Sequence, residues 1–254
     1  MDAPEMEFRK KFKPDYSGMT VTEVPFCTME DHSGTPMEYK LDVITAQNAA
    51  SGKLPVVFFI HGGGFLKPND KRQAYISMFA RELTKSGYAV VSPDYPQFDS
   101  EQQLAAAGGE AAGYAKAAQA IHYAYRFVAE NGKQWNLDAS RTAIIGGSAG
   151  GWATFYTIAN YRDPYRAFVN CWGAPAVLPP VSNFPATLSI HGTEDVLVPY
   201  ALETAAQTAL EQAGIEHPLI TLPGCGHTPL NKFGEFMPVI LEFLRARMEG
   251  ERLL

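Results

Sequence analysis

An α/β fold with a mostly parallel central sheet is predicted by three features of this sequence. Short, nearly continuous apolar runs recur along the chain, helix-compatible stretches lie between them, and one early segment alternates apolar and polar residues instead. Continuous apolar runs suit strands buried on both faces by covering helices, whereas strict alternation marks a half-buried antiparallel strand. Strands alternating with helices are the pattern of a parallel sheet with helices packed on it.

The alternating segment is Met37 to Val43, and Val21 to Thr28, interrupted by Pro25, is its weaker partner. The apolar runs are Val56 to Ile60, Tyr88 to Val91, Ala143 to Ile145, Phe168 to Trp172 and Thr187 to Ile190, with His217 to Leu222 as a further strand. Helices are expected over Ala74 to Lys85, Gly113 to Asn131, Trp152 to Tyr161 and Pro199 to Gln212, where Pro199 suits a first-turn position. Phe236, Ile240, Phe243 and Leu244 repeat at helical spacing near the C-terminus. The alanine-rich stretch Leu104 to Ala120 reads as a helix start near a cleft. The sum is about eight strands with an antiparallel start, helices on both faces, and one domain over residues 1–254 whose first 34 residues form an arm or flap.

Composition narrows the function. A chain of 254 residues, 46% hydrophobic and 19% charged, can bury a full core without disulfides or metal. Its net charge of −6 has the wrong sign for neutralising phosphates, which argues against nucleic acid as a partner. Cys27, Cys171 and Cys225 are far apart, with no C-x-x-C pair, so they read as reduced thiols and not as a disulfide framework or a zinc site. The run Leu54 to Ile60 is too short to span a bilayer, and the basic residues Arg9 to Lys13 precede no apolar stretch. A cytoplasmic protein with no membrane partner is expected, a secreted protein already shorn of its signal being the alternative.

The chemistry gathers at four glycine-punctuated loops, each after an expected strand. Gly146-Gly147-Ser148-Ala149-Gly150-Gly151 sets a serine at a sharp strand-to-helix turn, where its hydroxyl projects above the sheet. The segment lacks the Gly-Lys of a phosphate loop, and Ser148 stands where a dinucleotide fingerprint needs glycine. His61-Gly62-Gly63-Gly64-Phe65 offers backbone N–H groups free to face an oxyanion, with His61 ordering the loop. His191 to Pro199 holds two candidate acids, Glu194 and Asp195, and Gly224-Cys225-Gly226-His227-Thr228 holds a histidine. Serine, acid and histidine thus follow in order, at strand ends where open α/β sheets build their sites. A Cys225–His227 dyad is the rival, and it leaves the Ser148 turn unexplained.

With these motifs, residues 35 to 248 resemble the α/β-hydrolase esterases, in particular the carboxylesterases with an HGGG motif of the hormone-sensitive-lipase-like and small acetyl- or feruloyl-esterase-like branches. The resemblance implies Ser148 as nucleophile, His227 as general base and acid, and Asp195 (immediately before the Val-x-Val-Pro segment) as the residue orienting it. It also implies an oxyanion hole from the N–H groups of Gly63, Gly64 and Ala149, with no cofactor and no metal. Gly147, where many relatives carry Asp, and Asp94-Tyr95-Pro96-Gln97-Phe98, which lacks the usual Arg-Leu-Ala, depart from the pattern. The expected activity is hydrolysis of small carboxylic esters through an acyl-enzyme. Amide cleavage and a non-catalytic ligand-binding role are the alternatives. Only 47 positions separate Ser148 from Asp195 (195 − 148) and 32 separate Asp195 from His227 (227 − 195), which leaves no room for a large lid there. Phe65 and Trp152 are expected to frame a short acyl pocket.

Overall fold

The computed structural model describes residues 13–49 and 52–248. Eight strands form one sheet in the order β1-β2-β4-β3-β5-β6-β7-β8. They are β1 (Met19–Glu30), β2 (Pro36–Ala46), β3 (Leu54–Ile60), β4 (Ala89–Pro93), β5 (Leu137–Gly147), β6 (Ala167–Cys171), β7 (Ala186–Gly192) and β8 (Leu219–Leu222). The β1–β2 and β2–β4 pairs are antiparallel and all later pairs are parallel. This is the α/β-hydrolase arrangement expected from the sequence, antiparallel start included.

Segment 1–34 is more than an arm. Met19–Glu30 is the edge strand, joined to β2 over its whole length with a register shift between Pro25 and Cys27. Of the arm, residues 1–12 lie outside the described residues. Proline and a bulge are tolerated here because an edge strand leaves one row of N–H groups without ladder partners. An ion cluster fastens this edge to the loop ahead of the first helix. Asp42 of β2 is fully buried and accepts two bonds from Arg72, at 2.6 and 2.8 Å, while Lys71 pairs with Asp94 and, at 3.2 Å, with Glu23.

Six helices flank the sheet among the described residues: α1 (Ala74–Lys85), α2 (Glu101–Ala106), α3 (Glu110–Asn131), α4 (Ala149–Tyr161), α5 (Tyr200–Gln212) and α6 (Phe233–Met248). Strand side chains alternate between two cores. Val56, Phe58, Ile60, Ile144 and Phe168 face α3, α4 and α5, whereas Val57, Phe59, Ala143, Ile145 and Val169 face α1 and α6. Strands such as β3 and β6 read as unbroken or nearly unbroken apolar runs because each is buried on both faces. Leu104–Ala120, read as one helix start, is two helices parted by Ala107 to Gly109, and none of α2 is buried.

Phe79 of α1 sits where three elements meet, 4.9 Å from the Phe59 ring of β3 and 5.1 and 6.1 Å from Phe233 and Phe236 of α6. Removing a fully buried ring forfeits its transfer free energy and leaves a cavity. Phe79→Ala is expected to lower unfolding stability by about 3–5 kcal/mol, read as a shift of the urea midpoint at unchanged slope. A loss below 1 kcal/mol would mean that α1 and α6 close over the gap.

Candidate active site

The carboxyl ends of β3, β5, β7 and β8 deliver the four glycine-punctuated loops to one edge of the sheet. Ser148 forms the corner between β5 and α4 with φ 54° and ψ −124°. This is a left-handed conformation that a side chain adopts only at a cost of order 1–3 kcal/mol, so the surroundings must over-determine it. Its N–H donates to Cys171 O at 2.9 Å, and its carbonyl accepts from Gly151 at 2.8 Å. The corner is this sharp because α4 lies directly against β3. A Cβ on Gly150 would sit 2.2 Å from Ile60 O, so only glycine permits the approach.

Ser148 Oγ lies 2.8 Å from His227 Nε2, and His227 Nδ1 lies 2.7 Å from Asp195 Oδ2. Asp195 and His227 are both buried, while Ser148 is half-buried. The geometry gives the serine hydroxyl an acceptor in Nε2 and leaves Nδ1–H to donate to the carboxylate. Glu194, the neighbouring acid, is exposed. Cys225 packs in the core that faces α1 and α6, two residues from His227. The two loops that carry Asp195 and His227 are laced together. Glu194 N–H donates to Cys225 O at 2.9 Å, Thr193 N–H to Leu222 O at 3.1 Å, and Gly224 N–H to Thr193 Oγ1 at 2.9 Å.

Asp195 is saturated with donors. Its Oδ1 accepts the N–H groups of Leu197 and Val198, each at 2.9 Å, and its Oδ2 also lies 3.2 Å from His191 Nε2. Burial alone would raise its pKa, but the bonds from His191, His227 and the Val198 backbone outweigh it and hold the carboxyl well below the usual carboxylate range. His191, fully buried, is pushed the other way. Burial disfavours its charge, yet Asp195, Glu203 and Val198 O together push its pKa up to about 9.

The glycine loop after β3 is fixed by hydrogen bonds with His61, Asn69, Gln73 and Tyr75. Gly62 O accepts from His61 Nδ1 at 2.8 Å and Gln73 Nε2 at 3.1 Å, and Gly63 O accepts from Asn69 Nδ2 at 3.2 Å. Gly63 has φ 115°, and a Cβ there would lie 2.2 Å from Asn69 Cγ. Gly62 N–H donates to Tyr75 Oη at 2.6 Å. His61 is wholly buried and stacks on Tyr95 at 4.2 Å, and burial holds its pKa below the ordinary histidine value. It orders the loop, as expected. Asp94 and Tyr95, just ahead of Pro96-Gln97-Phe98, serve this same scaffold through Lys71 and His61.

Gly63, Gly64, Ser148, Ala149 and His227 all line one cavity of about 610 Å³. Trp152, Trp172, Leu197 and Leu230 supply its apolar wall, and Leu104 and Glu110 reach it from α2 and the start of α3. Phe65, expected in the wall, is instead wholly buried beneath it, its ring 6.5 Å from Trp152 and against the backbone of Gly113. Its backbone is left-handed, with φ 61°. Tyr75, Gln73, Asn69 and Glu203 carry no local sequence signal, because each reaches the site from an ordinary helix or loop.

Two opposed shifts predict how stability depends on pH. The depressed carboxyl of Asp195 contributes stability above its unfolded value of 3.8, lost as pH falls through its lower folded value. The raised imidazole of His191 contributes stability that is complete below 6.5 and lost as pH rises through about 9. Thermal melts from pH 3 to 10 are expected to fall on both sides, with the alkaline fall spread over pH 6.5 to 9. A melting temperature level from pH 6 to 10 would contradict the alkaline half.

The family model described as BD-FAE matches residues 41–162, the stretch from β2 to the end of α4. No curated protein matches the sequence. Among solved structures, the chain is similar to a truncated carbohydrate esterase from gut microbiota, at 19% identity and TM-score 0.71, over 93% of this chain and 99% of that one. It is also similar to a thermostable esterase from Pseudomonas putida, at 20% identity and TM-score 0.70, over 98% of this chain and 89% of that one. A bacterial heroin esterase matches at 20% identity and TM-score 0.68, over 92% and 86% of the two chains. In its strand order and in these likenesses, the chain has the α/β-hydrolase fold and resembles the esterases built on it.

Proposed function

We propose that this protein hydrolyses carboxylic esters of small acyl groups through a covalent acyl-enzyme on Ser148. The observation that carries the proposal is the unbroken chain Ser148 Oγ, His227 Nε2, His227 Nδ1, Asp195 Oδ2, at 2.8 and 2.7 Å, opening into the apolar cavity. Serine is a weak nucleophile near neutral pH. His227 Nε2 takes the hydroxyl proton as Oγ attacks the ester carbonyl carbon, and Asp195 fixes the tautomer and stabilises the imidazolium formed. The same proton then passes to the departing alkoxide, and a water activated by His227 cleaves the acyl-enzyme.

The developing oxyanion is received by the N–H groups of Gly63, Gly64 and Ala149. Support comes from peptide planarity. In a trans peptide the N–H points opposite to the preceding carbonyl. Since Gly62 O and Gly63 O are tied to Gln73 and Asn69, the N–H groups of Gly63 and Gly64 face the other way. Ala149 adds the first N–H of α4, whose N-terminus favours negative charge. The carbohydrate esterase and the heroin esterase among the structural neighbours are named for ester chemistry, in keeping with this reading.

Ser148→Ala is expected to abolish labelling by an organophosphonate and to lower kcat by about 10⁴-fold or more. Intact labelling would put the nucleophile elsewhere. Asp195→Asn is expected to cut kcat by roughly 10³–10⁴ with the fold retained, and Glu194→Gln to have little effect. A reversed order would reassign the acid.

Acyl preference follows from the wall. A methylene that finds a pocket contributes about 0.8 kcal/mol, and one left in water contributes nothing. With Phe65 turned into the core and Trp152 and Trp172 in the wall, kcat/KM across p-nitrophenyl esters of two to twelve carbons is expected to peak at acetyl to butyryl. A maximum at ten or twelve carbons would refute the short pocket.

A further inference from the structure

Behind Asp195 lies a second set of buried polar groups that the three-residue chain does not use. Glu203 of α5 is fully buried, and its Oε2 accepts from Asn170 Nδ2 at 2.7 Å. His191 Nδ1 stands 3.7 Å from that Oε2, and His217 Nε2 stands 3.5 Å from Oε1 while sharing a 2.8 Å bond with Ser189 Oγ. On its other side, His191 Nε2 is 2.8 Å from Val198 O and 3.2 Å from Asp195 Oδ2. Buried histidine and glutamate therefore continue the line of the catalytic acid into the protein.

We propose that His191 is a positioning residue for Asp195, held as an imidazolium between Asp195 and Glu203, so that two histidines grip the same carboxylate oxygen. The proposal rests on the triad reading given above. A carbonyl only accepts, so Nε2, bonded to Val198 O, carries a proton. The protonation of Nδ1 is the remaining question. A bare Nδ1 would set its lone pair against the Glu203 carboxylate, with both side chains fully buried, whereas a protonated one attracts it. An unpaired buried carboxylate is prohibitively costly, the donor bonded to Glu203 Oε2 is the neutral Asn170 amide, and His191 is the imidazole that faces this same oxygen, with His217 beside Oε1.

Among the described residues, Asp195, Tyr200, Asn170, Ser189, His217 and Cys171 face the pair, and no Lys or Arg forms an ion pair with Glu203. Glu203 and His191 cancel in charge, so His227 still faces the field of about one carboxylate while the Asp195 side chain is held from both sides. The pKa of His191, pushed up to about 9, agrees with this geometry. When His191 loses its proton, Glu203 loses its countercharge and the grip on Asp195 weakens. Activity then falls on the alkaline side.

The test uses the full chain labelled with ¹⁵N-histidine, read by side-chain NMR from pH 6 to 10, with His191→Gln assigning the resonance. The expected result is a ring protonated on both nitrogens at pH 7.5 that titrates near pH 9, and at lower pH in Glu203→Gln. In kinetics, wild-type kcat/KM is expected to show an alkaline limb that His191→Gln lacks. The variant's kcat at neutral pH falls about 10- to 100-fold with KM near wild type, the scale of losing a partner behind a working ligand. A neutral His191 ring at pH 7.5, or a His191→Gln pH profile parallel to wild type, overturns the proposal. Should His191→Gln fail to fold, Glu203→Gln carries both readouts, the titration of His191 and the position of the alkaline limb. Activity retained in Ser148→Ala would refute the triad and leave the NMR result standing, which keeps the two failures apart.

Discussion

The left-handed backbone of Ser148 is the constraint on which the site depends. Nothing local favours φ 54° for a serine, and the conformation persists because three neighbours leave no alternative. Cys171 O takes its N–H, α4 begins at once, and Gly150 lets that helix press against the carboxyl end of β3. The sheet order brings this about, since β5 lies between β3 and β6 and its loop must turn within the space those strands define. The strain exposes the hydroxyl above the sheet edge, where the histidine loop can reach it.

The other two members of the chain depend on strands added beyond β6. Parallel pairing of β7 with β8 sets the loops after them side by side, and three hydrogen bonds between those loops fix the distance from Asp195 to His227. Asp195 is thereby held by backbone donors on one oxygen and by imidazoles on the other. A carboxylate so fully bonded has little freedom to rotate. The glycine loop after β3 follows the same logic from the opposite side, its carbonyls tied back by Gln73 and Asn69. Order in the site is imposed from outside the motifs.

Strands, most helices and the identity of the residues that meet are legible in the amino-acid sequence. Apolar runs such as Val56 to Ile60 are legible because burial on both faces removes every polar position, and helix α1 is legible from Ile76, Phe79 and Leu83 on one face. Ser148, Asp195 and His227 are legible because glycines punctuate strand ends and their serine, acid, histidine order is that of the α/β-hydrolase esterases the sequence resembles. Packing between elements supplies what periodicity does not encode. Edge strand β1, crossed by Pro25, gained its place from pairing with β2, and Phe65 lies in the core against Gly113 and Trp152. Glu203 looked like an ordinary helix residue, and only the packing of α5 on β6 and β7 buried its charge against His191. Such contacts join residues dozens of positions apart, so their energies appear only once the sheet has set the elements side by side.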